Sequence, residues 1–394
     1  MHDRHHPSPL QGEIVSLVHP IPSHLTRHNS VGKPRRPLGD PVSPLKEMTR
    51  FIPNPSSAPR TLKAKLSTFD PGAAQAAEDA GKLVFHCVGD VGGVNGTATQ
   101  EAVAEGMEEQ IKAAPADAAP RFLYILGDVV YYNGETRLYK TEFYEPYQYY
   151  PALIFAIPGN HDGDTRVLKN DPPDTEPSLL GFNSNFCAAM PEHVTPYRMS
   201  MTQPYAYWTM DAPFVTLIGL YSNVEGSLDA RGRSEQQDYL IEQLQQADKN
   251  KKIIVTVHHP PYSLDSAHGG SPDILNAIDY AVQQSKRQPD AVLTGHVHNY
   301  QRFSRLVGRT KIPFIVAGAG GYANDVRSMH KLQKGISTES LPYKTTVAGV
   351  KLEAFNCVDP GFLLVTASAG KLLFEYFTVP WGGGTPTRYD HLTA

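Results

Sequence analysis

The residues able to do chemistry fall in five short clusters: CVGDVGG (87–93), LGDVVYY (126–132), PGNHDG (158–163), VHHPPYS (257–263) and TGHVHNYQR (294–302). Each begins where an apolar run ends. Their polar members include Asp90, Asp128, Tyr131, Asn160, His258, His296 and His298. This is a metal-ligand inventory rather than an acyl-transfer one, and hard oxygen donors with imidazoles suit iron, zinc or manganese. Two ions that share one carboxylate need about seven protein donors, which leaves positions open for water and phosphate.

Positioning five clusters at one place requires a particular architecture. KLVFHCV (82–88), FLYIL (122–126), ALIFAI (152–157), FVTLIGL (214–220), IIVTVH (253–258) and AVLTG (291–295) read as buried strands. Helical patterns lie between them at 99–114, 235–247 and 272–285. Strand and helix alternate, so the sheet is expected to be largely parallel with helices on its faces. The carboxyl ends of such strands converge on one crevice, which is where ligands bind.

The remaining segments differ. PFIVAG (313–318), FLLVTA (362–367) and LLFEYFTV (372–379) are strands without helices between them, and Ala369-Gly370 fits a tight hairpin turn. They predict a second, more antiparallel sheet packed on the first. Residues 163–204, rich in Pro, Asn and Met, read as a long excursion over the active face. Residues 1–75 are dense in Pro, Ser and His without apolar periodicity and read as a partly disordered extension, with the domain proper at 76–394.

Composition narrows the function. The 394 residues carry a net charge of −4 and no basic stripe, so nucleic acid is not the expected partner. Cys87, Cys187 and Cys357 are too few and too scattered for a disulfide framework or a Cys-x-x-Cys metal site. No apolar run is long enough for a membrane span, and the first residues lack the apolar core of a signal peptide, which favours a cytoplasmic protein.

Taken singly, each cluster has a bland explanation. Gly127-Asp128 could be a turn, Gly159-Asn160-His161 an Asx-turn, and His296 with His298 a solvated pair. Tyr131 could be an ordinary half-buried aromatic, with Tyr132 turning inward instead. All five clusters together, each at a strand end, are poorly explained by chance.

The five clusters, in this order, resemble those of the calcineurin-like metallophosphoesterases, and among them those of the purple acid phosphatases of the tartrate-resistant type. The resemblance spans roughly residues 82–380. Most of that superfamily carries Asp-x-His in the first cluster, whereas here Asp90 is followed by Val91 and Gly92. Tyr131, in Gly-Asp-x-x-Tyr, stands where the purple phosphatases place a phenolate on ferric iron.

The resemblance implies a four-layer α/β/β/α sandwich of two mixed sheets flanked by helices. It assigns Asp90, Asp128, Tyr131 and His298 to a first metal, and Asp128, Asn160, His258 and His296 to a second, with Asp128 bridging. The cofactors implied are Fe3+ and a divalent ion, either Fe2+, Zn2+ or Mn2+. The activity implied is hydrolysis of phosphomonoesters on a small molecule or phosphoprotein by attack of a metal-bound hydroxide on phosphorus. His161, and on a shorter match His268, would face phosphate, while His259 would stand behind the ligands or on the pocket wall. A phosphodiesterase or phosphoanhydride hydrolase on the same metal core is the nearest alternative, and a non-catalytic metal-binding relative a more distant one.

Overall fold

The computed structural model describes residues 61–93, 96–163, 176–224, 228, 235–322 and 329–394. The amino-terminal histidines and residues 164–175 of the expected excursion lie outside these.

Among the described residues, fifteen strands form two mixed sheets with helices on their faces. The smaller sheet takes β2 (Lys82–Val88), β3 (Phe122–Ile125) and β4 (Leu153–Ala156), all parallel, and joins to them β13 (Gly361–Ser368), β14 (Lys371–Thr378) and β15 (Thr387–Thr393) in antiparallel pairing. The larger sheet begins with β1 (Lys63–Lys65), β5 (Thr209–Ala212), β6 (Val215–Leu220), β7 (Lys252–Val257) and β8 (Ala291–Thr294). It ends with β10 (Thr310–Ala317), β9 (Tyr300–Val307), β12 (Val350–Asn356) and β11 (Tyr343–Lys344).

The expected split into a parallel sheet and a separate antiparallel one is therefore corrected: both sheets are mixed, the smaller with a parallel half (β2–β4) beside an antiparallel half (β13–β15), the larger with a parallel run from β6 through β7 and β8 to β10 and antiparallel pairs on either side of it. β13 pairs with β2, with Leu363 opposite Cys87 and Ser368 opposite Lys82. That pairing joins segments far apart in the chain, and a local apolar pattern carries no information about the partner.

Alternation along the strands builds the layers. In β6 and β7, Val215, Leu217 and Ile254 face one core, shared with Phe85, Leu123 and Phe155 of the other sheet. Their neighbours Ile218, Ile253 and Val255 face a second core against Leu240, Leu244, Ile274 and Ile278 of the two helices Glu235–Gln246 and Pro272–Ser285. Ser271 caps the latter helix by accepting from Ile274 N–H, with Pro272 opening its first turn. The helix Ala98–Ala113 buries Val103 and Met107 against the smaller sheet.

The ordered elements start earlier than the expected boundary at residue 75. β1 pairs in parallel with β5, and the helices Leu66–Phe69 and Pro71–Ala80 follow it. Leu66 is fully buried, and Ala74 and Ala77 lie in the same core. A three-residue strand and an alanine-rich helix have too little apolar periodicity to stand out in the sequence. Leu66→Ala is expected to lower unfolding free energy by about 2–5 kcal/mol in urea titration. Truncation at residue 75 is expected to lower stability further, because it also strips β1 from the sheet edge. An unchanged midpoint in both would mean that this segment contributes nothing.

Candidate metal centre

The five clusters meet at the carboxyl ends of β2, β3 and β4 in one sheet and of β7 and β8 in the other. Three of the expected ligands hold left-handed backbone: Asp90 at φ 57°, Asp128 at 54° and His296 at 69°. Each such residue costs about 1–3 kcal/mol and persists only where its surroundings dictate it. Here Asp90 N–H donates to Gly127 carbonyl (2.9 Å), Val91 N–H to Asp128 carbonyl (3.0 Å) and His296 N–H to Asp90 Oδ2 (2.8 Å). The turns are locked to one another.

The first group of donors is Asp90, Asp128, Tyr131 and His298. Tyr131 Oη lies 3.3 Å from Asp90 Oδ1, 3.2 Å from Asp128 Oδ2 and 3.4 Å from His298 Nε2. His298 Nε2 is 3.5 Å from Asp90 Oδ1. A hydroxyl bonding a carboxylate prefers about 2.5–2.7 Å. By contrast, donors about 2.1 Å from a common ion sit about 3.0–3.4 Å apart. The observed spacings match the second figure, and Tyr131 rather than Tyr132 is the phenol turned inward.

The second group gathers around Asn160. Its Oδ1 lies 3.2 Å from His258 Nε2 and 2.9 Å from His296 Nδ1, and His258 Nε2 is 3.3 Å from Asp128 Oδ2. Asp128, His258 and His296 bring their donor atoms within 4.8 Å of one another. His258 Nδ1–H donates to Leu126 carbonyl at 2.8 Å, which fixes the tautomer and aims Nε2 at the cluster.

Electrostatics also ask for a cation. Burial raises the Asp90 carboxyl well above its usual range, with Asp128 adding to the rise and His258 opposing it. Burial acts the same way on Asp128, but His258 and His161 outweigh it and hold that carboxyl low. Tyr131 is pushed well above the ordinary phenol value by burial and then by Asp128 and Asp90. His258, despite burial, is raised to about 9 by Asp128. Three acidic groups thus crowd together, and no Lys or Arg pairs with either aspartate among the described residues. A bound cation reverses such shifts by favouring the ionised donors, so the donor set fits bound metal.

Gly92 leaves the space that the Tyr131 ring fills. A Cβ there would lie 2.8 Å from Tyr131 Cδ2 and 3.0 Å from Val129 carbonyl oxygen. A side chain at 92 and the Tyr131 ring compete for one volume. Gly318 is similarly constrained, since its Cβ would stand 2.6 Å from Asp90 Oδ2.

Of the two expected substrate-side histidines, His161 is half-buried beside Tyr131, with ring centroids 4.5 Å apart. Its N–H donates to Asp128 Oδ1 (2.9 Å) and its Nδ1–H to Tyr132 carbonyl (2.6 Å). His268 is brought in as well, its ring 4.7 Å from His296 and 5.8 Å from His298. His259 stands behind the donors: its ring is 4.3 Å from that of His296, and Ser222 Oγ lies 2.8 Å from its Nδ1.

Sequence reasoning missed the residues that hold this arrangement. Asp162 is fully buried and accepts from Gly159 N–H (2.8 Å), Val129 N–H (3.1 Å) and Tyr139 Oη–H (3.1 Å), tying the second cluster to the third. It lies within PGNHDG, yet only its partners reveal the role. Glu142 accepts from Tyr131 N–H at 3.0 Å. Tyr322 packs on His298 with ring centroids 3.7 Å apart, and His330 adjoins the same ring at 4.6 Å.

Residues 83–300 match the calcineurin-like phosphoesterases, a span of more than half the chain. The chain belongs to that family. Within it, the chain is 26% identical over 172 residues to purple acid phosphatase 21 of Arabidopsis thaliana, a stretch covering 41% of this chain and 35% of the relative. The calcineurin-like fold is shared with purple acid phosphatase PPD1 from yellow lupin (Lupinus luteus) seeds, at TM-score 0.56 and 17% identity over 79% of this chain and 53% of that one. It is shared too with GAP50, the anchor in the inner membrane complex of Plasmodium, at TM-score 0.52 and 15% identity over 75% and 84%. These structural likenesses bear on the fold alone. Among the described residues, no helix is long and apolar enough to cross a membrane.

Proposed function

We propose that this calcineurin-like phosphoesterase is a dinuclear acid phosphatase of the purple type that hydrolyses phosphomonoesters. One observation supports the dinuclear reading above others. Asp128 Oδ2 lies 3.2 Å from Tyr131 Oη in one donor group and 3.3 Å from His258 Nε2 in the other, the position a bridging carboxylate needs. Asp90, Asp128, Tyr131 and His298 would hold Fe3+, and Asp128, Asn160, His258 and His296 a divalent ion (Fe2+, Zn2+ or Mn2+). When bound, such ions supply a water ionised near neutral pH and neutralise charge on the phosphoryl oxygens.

The chain's own residues do the rest. His161, with Nδ1–H fixed on Tyr132 carbonyl, takes or gives its second proton at Nε2. From there it can protonate a leaving oxygen or stabilise equatorial charge. His268, on the His296 and His298 side, would flank the same phosphoryl group.

Ferric tyrosinate absorbs visible light. The purified protein, expressed with iron, is expected to be violet to pink, and Tyr131→Phe colourless. The wild type is also expected to turn over nitrophenyl phosphate much faster than the matching diester. A colourless protein holding only zinc or manganese would remove the purple assignment. Preference for the diester would favour the phosphodiesterase alternative.

A further inference from the structure

Asp265 lies outside the five clusters, yet it is fully buried and densely bonded. Its Oδ1 accepts from Ala267 N–H at 2.7 Å and His268 N–H at 2.6 Å, and its Oδ2 from Asn299 Nδ2–H at 3.2 Å. Asn299 directly follows the expected ligand His298, and its Nδ2 also donates to His330 carbonyl at 3.0 Å. The loop is laced to the segment after His330 by Ser266 N–H on Lys331 carbonyl and Gln333 N–H on Leu264 carbonyl, both 2.9 Å. One carboxylate thus joins three separate segments.

Two imidazoles are carried by this junction. The His268 ring stands 4.9 Å from that of His330, and His330 stands 4.6 Å from His298. His330 Nδ1 is buried without a hydrogen-bond partner, 3.6 Å from Asp265 Oδ1. Its side chain is nonetheless 22% exposed. A buried orphan nitrogen calls for a reason.

We propose that Asp265 is a positioning residue that fixes His268, together with His330, against His298, so that the two imidazoles face a bound phosphoryl group as a pair. The inference rests on the phosphoesterase reading above. None of the proposed metal donors lies on the 263–269 loop, and Asn299, which follows the donor His298, keeps its bond to His330 carbonyl without Asp265, so loss of Asp265 is expected to release the imidazoles and leave the metal donors in place. A merely structural carboxylate would not show that selectivity.

The test compares His268→Ala, Asp265→Ala and the double variant in the metal-loaded protein, with metal content, thermal transition and kcat and KM for nitrophenyl phosphate. Asp265→Ala is expected to retain its metals and to lose kcat/KM at least as far as His268→Ala, roughly ten- to a hundredfold. The double variant is expected to be no more than about twofold worse than Asp265→Ala, because loss of Asp265 has already released the His268 imidazole. Asp265→Asn, which keeps an oxygen acceptor for the two loop N–H groups, is expected to recover to within about threefold of wild type. Should Asp265→Ala lose its thermal transition, Asp265→Glu makes the same comparison with burial charge kept and the acceptor displaced. Losses that multiply in the double variant, or an Asp265 variant with wild-type kinetics beside an impaired His268→Ala, would overturn the inference and leave the activity standing. A wild type that neither hydrolyses phosphate esters nor binds inorganic phosphate in calorimetry would overturn both.

Discussion

Alanine at His258 or His296 is expected to remove metal and activity together, with turnover falling by more than about a thousandfold, the equivalent of about 4 kcal/mol in the barrier. Each histidine supplies one of the few donors around Asn160 Oδ1, at 3.2 and 2.9 Å, and the remaining ligands cannot close the shell. His258 has no second position to adopt, being fully buried and tied through Nδ1 to Leu126 carbonyl. Metal analysis after gel filtration checks this. A His258→Ala protein that keeps both ions and its turnover would remove His258 from the ligand set.

His161→Ala is expected to behave differently, keeping both metals while losing about two to four orders of magnitude in turnover. Its backbone N–H, which alanine retains, makes the contact with Asp128, so the bridging carboxylate stays supported. What is lost is the ring held on Tyr132 carbonyl. If that ring donates a proton, the loss falls far more heavily on alkyl phosphates than on nitrophenyl phosphate, whose phenolate leaves unaided. Equal losses on both substrates would point to charge stabilisation alone. Unchanged turnover would exclude His161 from the reaction.

The difference between what the sequence reveals and what it conceals is one of range. Asp90, Asp128, Asn160, His258, His296 and His298 are legible because each follows an apolar strand within a few residues, and strand ends converge. Tyr131 was legible as a candidate, but its rivalry with Tyr132 is decided only by the ring that reaches Asp90 and Asp128. Asp265 and His330 leave no local trace, since their roles arise from contacts with Asn299 and His298 across the fold. Strand pairing fails to appear for the same reason. β13 reads as a strand from its own residues, but nothing in them names β2 as its neighbour. β9 was missed because Gln301, Arg302, Ser304 and Arg305 break its apolar run, with Arg302 serving an ion pair to Asp390.

The central claim, that phosphoester hydrolysis depends on a pair of metal ions held by these seven side chains, is tested most directly by metal removal and stepwise return. The protein is stripped with chelator, and nitrophenyl phosphate turnover is followed as ions are restored and counted by elemental analysis. The stripped protein is expected to be inactive, and its activity to reach its full value only as the second equivalent binds. Undiminished turnover in metal-free protein, or full turnover with a single ion bound, would contradict it.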